Sequence, residues 1–458
     1  MTLVRRSSRC TQSCPFPCSN DFWNGVVPSR ETIIKAESAK LFLEAHFENL
    51  ISESQARRDR YESVMKTAEE IGLEPEEKET IKNRIAQEET KFCRITRTKI
   101  KPSRFERIQL IGRGGFGEVW LVHDKLSCEL CALKVLRKAD IIRSEQILNV
   151  RTERDILSFS HNPWVVSLKC SFQDNEKLYL VLEYIPGGDL MNALIKQSVF
   201  TEPTAKFFAG EILLAAHSVH EISFIHRDIK PDNVLISESG HIKLTDFGLS
   251  KNYAKNDAAL ERINEEITDI IFGQSEGIKP RHVRGNEIAT CDYTAPEVLR
   301  GECPTTKSDL WSIGVIIYEM LYGFAPFSGK SIQETALRVI HWKHSLRFPN
   351  TPQVSSVAKD LLIHILCDHN QRYDYEQIIH HPFFNGFDFT NYKANIPPLV
   401  PVLRSPTDTS HFDIFEQEEC PLGYDLPYSN LANFAFLGFT FKKRPHQTIL
   451  AQEIFSPQ

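Results

Sequence analysis

IHRDIKPDN, residues 225–233, followed by LTDFGLS, residues 244–250, is the pair of segments whose reading decides the fold. Phosphoryl transfer needs a carboxylate that takes the proton of an attacking hydroxyl. It also needs oxygen ligands that hold Mg²⁺ against the phosphates. Asp228 fits the first task, Asn233 and Asp246 fit the second, and Lys230 can neutralise charge on the moving phosphoryl group. Taken singly, each is more often a turn cap or a surface charge. In this order and spacing they form the signature of a phosphotransferase.

Upstream, GRGGFGEV at 112–119 lies between two predicted strands. Gly112, Gly114 and Gly117 let the backbone approach a polyphosphate with its N–H groups aimed at the oxygens. A lone GxGxxG also suits dinucleotide folds, where a helix follows. Here the strand-like VWLVHD follows. Lys134 in ALKVL is placed to neutralise phosphates; the default for any one lysine is a snorkelling surface position.

Composition is that of an ordinary globular chain. Of 458 residues, 41% are hydrophobic and 25% charged, and the net charge of −6 gives no reason to expect a nucleic-acid partner. No apolar run approaches the roughly 20 residues of a membrane span. The N-terminus lacks an apolar h-region, so the expectation is an intracellular protein, of the cytoplasm or the nucleus, with reduced thiols. Cys10, Cys14 and Cys18 have no partner completing a zinc site nearby, and Cys128 and Cys131 fall in a predicted strand pair, where core packing explains them.

Along the chain, 1–30 reads as a disordered tail and 31–104 as a helical regulatory region. Leu43, Phe47, Leu50 and Ile51, then Tyr61, Val64, Met65 and Ala68, recur at helical spacing on either side of the polar SESQARRDR. A second charged helix, Glu76–Arg94, follows Gly72 and Pro75. Two long amphipathic helices with a basic bend are expected, packed on another surface. From Phe105 the texture turns to short β-rich runs (RIQLIG, EVWLVHD, CALKVL, LYLVLEY), and after Gly188 to helical periodicity. A small strand-rich lobe beside a large helical lobe is an α+β arrangement with a cleft between. The stretch from Phe387 reads as an extended, wrapping tail.

With these motifs in hand, 105–384 resembles a eukaryotic protein kinase, which implies a bilobal kinase fold with ATP and Mg²⁺ as cofactors. The resemblance implies that Lys134 pairs with Glu153 of NVRTERDIL and that Leu182 is the gatekeeper. It further implies hinge hydrogen bonds from Glu183 and Ile185, and an adenine slot lined by Ile111, Val119, Ala132 and Leu235. Glu297 of APE would pair with Arg372, and Asp309 would hold the catalytic loop. Lys230 and Thr290 are similar to serine/threonine rather than tyrosine kinases.

LRKADI, FQDNEKLYLVLEYIPGGDL, DTSHFDIF (408–415) and FLGFTF (436–441) resemble the AGC group, with 385–458 as its C-terminal tail. There the aromatic motif docks on the small lobe, and an upstream kinase would act on Thr440. The N-terminal helices and the long segment between DFG and APE resemble the NDR/LATS branch, whose role in cell-cycle, cytokinesis or morphogenesis signalling is implied. That likeness implies a Mob-type coactivator meeting Lys40, Phe47, Arg57, Arg60, Thr90 and Arg94, and protein substrates with basic residues upstream, for which Asp189 is a candidate contact. One departure stands out. The activating loop phosphate of the group would fall on Asn286, which cannot carry it, opposite Arg227; Glu287 offers only a single charge. Regulation through Thr440 and the coactivator is expected instead, with KPRHVR (279–284) resembling a basic autoinhibitory stretch. The alternatives are a pseudokinase scaffold, which ATP turnover would exclude, and a small-molecule kinase.

Overall fold

A computed structural model describes residues 28–115, 117–158, 162–252, 262, 288–415 and 433–443, leaving aside the side chains of 95, 96, 252 and 288–290. Cys10, Cys14, Cys18, Asn286, Glu287 and KPRHVR lie outside the described residues.

The N-terminal region is two helices, α1 (Arg30–Glu70) and α2 (Pro75–Arg97). Ser29 caps α1 by accepting the Thr32 N–H. The expected basic bend is absent: α1 runs straight through SESQARRDR, because Glu, Gln, Ala and Arg are strong helix formers. The chain breaks instead at Gly72, whose φ of 76° suits glycine. Pro75 then opens α2, with Glu76 and Glu77 against the positive end of its dipole. Few α1 residues are buried, among them Ile34 and Ala68, while Leu43, Phe47, Leu50 and Ile51 face solvent.

Next comes an antiparallel sheet of β1 (Phe105–Gly114), β2 (Gly117–Asp124), β3 (Glu129–Arg137), β4 (Leu168–Gln173) and β5 (Lys177–Glu183). Two helices, α3 (Lys138–Arg143) and α4 (Ile147–Ser158), cross between β3 and β4. β-Branched and aromatic residues fill these strands, as pleated packing favours. One face carries its own apolar layer, in which Phe105, Phe172 and Tyr179 stack with centroids 5.7 and 4.6 Å apart. Cys131 is in that layer. Cys128, expected in a strand, sits in an exposed turn at φ 57°.

The large lobe follows with α5 (Leu190–Gln197), α6 (Glu202–Glu221) and the helix Thr306–Tyr322, the last two buried along most of their length. Two short pairs of strands lie between them, β6 (Phe224–Ile225) with β9 (Lys251–Asn252) and β7 (Val234–Ile236) with β8 (Ile242–Leu244). They set the two motif segments side by side beneath the small lobe. Beyond Phe387 the chain runs without strands or α-helix to 415. It returns at 433–443, where β10 (Phe441–Lys442) pairs with β4, completing the order β1-β2-β3-β5-β4-β10.

Candidate active site

Lys134 is on β3 and Glu153 on α4, so their meeting depends on how α4 seats against the sheet. Lys134 Nζ lies 2.7 Å from Glu153 Oε1 and 3.2 Å from Asp246 Oδ1. Glu153 is buried; Asp246 is half-exposed. Burial alone would lower the Lys134 ammonium. Asp246 and Glu153 outweigh it and hold Lys134 protonated, above the usual lysine range. In return Lys134 keeps Asp246 below the ordinary carboxylate range, while burial pushes Glu153 up. One cation thus holds two acids from different lobes, and Asp246 stays ionised.

The catalytic-loop segment is fastened from below. Asp309, fully buried in the helix Thr306–Tyr322, accepts the His226 and Arg227 N–H groups at 2.9 Å each and faces His220 Nε2 at 2.7 Å. These bonds hold Arg227 at φ 69°, and Asp246 has φ 57°, positions that non-glycine residues adopt only when their surroundings enforce them. Phe247 packs its ring 4.7 Å from His226. The segment so held turns Asp228 inward. Lys230 Nζ lies 3.1 Å from Asp228 Oδ2, and Asn233 Nδ2 donates to the Asp228 carbonyl at 2.8 Å and to Oδ2 at 3.0 Å. Burial raises the Asp228 carboxyl above its usual range despite Lys230, which strengthens it as a base.

Ile111, Ala132, Leu182 and Ile185 belong to the main apolar core that runs through both lobes, with Val119 and Leu235 packed against it and Ala132 opposite Leu182 across β3 and β5. Glu183 is tied into the protein: its N–H donates to the Ser167 carbonyl at 2.9 Å, and its carboxylate accepts from Ser167 N at 2.7 Å and Lys243 Nζ at 2.5 Å. The three glycines differ. A Cβ on Gly114 would meet open space and one on Gly112 only Val119. On Gly117 it would collide with the Val135 carbonyl, so that glycine serves strand packing. An ionised, half-exposed Asp246 and an Asn233 whose NH₂ is turned to Asp228 form a hard oxygen donor pair. This suits Mg²⁺, which takes one or two protein ligands and completes its shell with phosphates and water. Among the described residues there is no group of three or more His, Cys, Asp or Glu that could hold a metal ion.

Farther out, Glu297 and Arg372 form a buried two-pronged ion pair at 2.7 and 3.1 Å. The tail segment is docked on α4 and β4. Phe436 and Phe439 are buried, Arg151 donates to the Ala435 and Leu437 carbonyls, and Ser171 Oγ donates to the Phe439 carbonyl at 2.6 Å. Lys138, also buried, donates to the Asp174 carbonyl and to Asn433 Oδ1, both at 2.6 Å. Thr440 itself is exposed.

Several of the expected contact residues also have partners within the chain. Glu89 of α2 faces both Arg57 and Arg60 of α1, at 3.3 and 3.4 Å. Thr90 Oγ1 turns to its own helix, on the Ala86 carbonyl. Lys40, Phe47 and Arg94 are exposed. Asp189 caps α5, accepting Asn192 N–H at 2.7 Å. Sequence reasoning missed His220 and the contact of Tyr184 with Asp408 and Phe412. No local pattern announces them, because each pairs with a residue far along the chain.

The sequence matches the protein kinase domain over residues 105–384 and the protein kinase C terminal domain over 403–441. It is similar to probable serine/threonine-protein kinase ndrB of Dictyostelium discoideum, with 39% identity over 90% of this chain and 83% of the relative. With serine/threonine-protein kinase CBK1 of Pneumocystis carinii it shares 35% identity, over 91% of this chain and 88% of the relative. With Warts of Drosophila melanogaster it shares 37%, over 89% of this chain and 40% of the relative.

Proposed function

The chain belongs to the NDR/LATS serine/threonine protein kinases, and from that premise we propose which residues move the ATP γ-phosphoryl group to protein hydroxyls and what controls them. The observation that carries the reading is Lys134 bridging Glu153 and Asp246, because it aligns both lobes around one phosphate-binding cation. Lys134 neutralises the phosphates, and Asp246 with Asn233 would hold Mg²⁺, which supplies charge neutralisation at the transferring group. Asp228 accepts the proton of the substrate Ser or Thr hydroxyl, and Lys230 stabilises the charge that develops. A peptide-library phosphorylation assay tests this: turnover should require Mg²⁺ and vanish in Asp246→Ala, and ATP-independent binding alone would support a scaffold instead.

Control is read as residing at the far edges of the small lobe. The Arg154 guanidinium donates to the Gly438 carbonyl at 2.6 Å, two residues before exposed Thr440, so a phosphate there meets a cation on α4, the helix that carries Glu153. An upstream kinase acting on Thr440 would thereby stabilise the Lys134–Glu153 pair. Thr440→Ala should lower activated turnover about tenfold, within the usual range of such couplings; full activity in that variant would remove this element. A Mob-type coactivator fits the exposed apolar row Leu43, Phe47, Leu50 and Ile51 beside Lys40, and Glu89 must yield Arg57 and Arg60 to it. Substrates with basic upstream residues, a cytoplasmic or nuclear place of action, and service in cell-cycle, cytokinesis or morphogenesis signalling complete the reading. Among the described residues no helix is long and apolar enough to cross a membrane.

A further inference from the structure

Behind the hinge the tail makes a small, heavily bonded coil. Asp408 is its hub. The carboxylate accepts Arg404 N at 2.9 Å through Oδ2 and Ser410 N at 2.9 Å through Oδ1, and its N–H donates to the Ser405 carbonyl at 3.0 Å. Those backbone donors hold the Asp408 carboxyl down at about 2, so it is anionic at any physiological pH. The coil is clipped to the hinge at three points. Tyr184 Oη donates to the Asp408 carbonyl at 2.8 Å, and Phe412 stacks on the Tyr184 ring with centroids 5.9 Å apart. The His411 carbonyl presses on Gly188, where φ is 72° and a Cβ would collide. Tyr184 stands between Glu183 and Ile185, so whatever loosens this coil loosens the adenine-binding hinge.

Within the coil, Arg404, Ser405, Pro406 and Thr407 are all exposed. We propose that Ser405, followed by Pro406, is a phosphorylation site for a proline-directed protein kinase, and that phosphate there unclips the hinge and weakens ATP binding. The inference rests on the reading of residues 183–185 as the adenine-binding hinge. Pro406 has no N–H to desolvate, so a modifying kinase can seat its ring in an apolar pocket beside the acceptor. In the transfer, Ser405 Oγ bonds to the γ-phosphorus of ATP held by that kinase. The bond from phosphorus to the β–γ bridging oxygen breaks, ADP leaves, and the hydroxyl proton passes to the modifying kinase's carboxylate. The product carries a charge of about −1.5 to −2. It stands three residues from anionic Asp408, in the turn closed by the Asp408 N–H on the Ser405 carbonyl, and next to the Arg404 guanidinium, for which it competes. Both effects act against the arrangement that presents the Asp408 carbonyl to Tyr184.

The test uses the full chain. Asp228→Asn protein, which cannot modify itself, is incubated with a purified proline-directed kinase and labelled ATP. Incorporation at Ser405 is expected, and its loss in Ser405→Ala; no label at Ser405 overturns the site. Chain with phosphoserine installed at 405 is then titrated with a fluorescent ATP analogue. The expected result is a dissociation constant raised about threefold, of the order for an exposed charge pair, with Ser405→Ala like the unmodified chain. Equal affinity with and without the phosphate overturns the consequence. If the unmodified chain binds no nucleotide, the hinge reading itself fails and the inference fails with it.

Discussion

Asp228→Asn is expected to lower kcat for peptide phosphorylation by about a hundred- to ten-thousand-fold, the range for removing a general base. The substitution keeps the size and one oxygen of the side chain but removes its capacity to take a proton. KM for ATP should change little, because Asp228 touches Lys230 and Asn233 rather than Ile111, Val119, Ala132 or Leu182, the residues proposed to receive adenine. Stability separates a chemical from a structural role. Burial already disfavours the Asp228 anion, so the neutral amide should not lower Tm. A variant both slow and unstable would point to a positioning role. The pH profile carries the same information. The base acts ionised and its pKa is raised, so kcat/KM should climb with pH through a value above the ordinary aspartate range and fall below it. An acid limb at the unperturbed aspartate value would contradict the assignment.

Arg372→Met is expected to destabilise the chain by about 3–5 kcal/mol, the penalty for stripping one partner from a buried ion pair. For a lobe of this size that is a Tm lower by about ten degrees. Arg372 is buried, and beyond Glu297 it donates to the Ile365, Lys307 and Cys367 carbonyls at 3.1, 2.6 and 3.0 Å. The variant therefore leaves one anion and three carbonyls without their donor, under a low dielectric. Burial works to raise Glu297, but Arg372 outweighs it and keeps the carboxyl below its usual range. A depressed acid stabilises the fold above its unfolded pKa and loses that contribution as pH falls through the folded one. The loss in Arg372→Met should therefore shrink in acid. Adding Glu297→Gln should recover part of it, since the double variant no longer buries an unpaired charge; recovery of nothing would mean that the carbonyl contacts dominate.

Much of the candidate site was legible in the sequence for a chemical reason. Asp228, Lys230 and Asn233 lie within one short segment, and Asp246 lies just beyond it, so the order of residue types discloses the reaction. The strands were legible because alternating β-branched and aromatic residues bounded by glycine leave few other structures. The helical region was read less well. SESQARRDR looked like a bend because it lacks apolar residues, yet helix propensity alone carried α1 through it.

By itself, the sequence determined the α+β fold class and the phosphoryl-transfer chemistry, since the residues of the two motif segments lie close along the chain and the chemistry constrains their types; the docking of the aromatic segment 436–441 was implied only by the family resemblance. Only the tertiary structure shows which charges pair within the chain. Arg57, Arg60 and Asp189, candidate partner and substrate contacts in the sequence, pair within the chain with Glu89 and with the start of α5. The tertiary structure alone also decided that the segment after β5 leans on the tail, through a Tyr184–Asp408 bond that spans 224 residues. Ion pairing and hydrogen bonding act over a few ångströms of space, and separation along the chain does not report that distance.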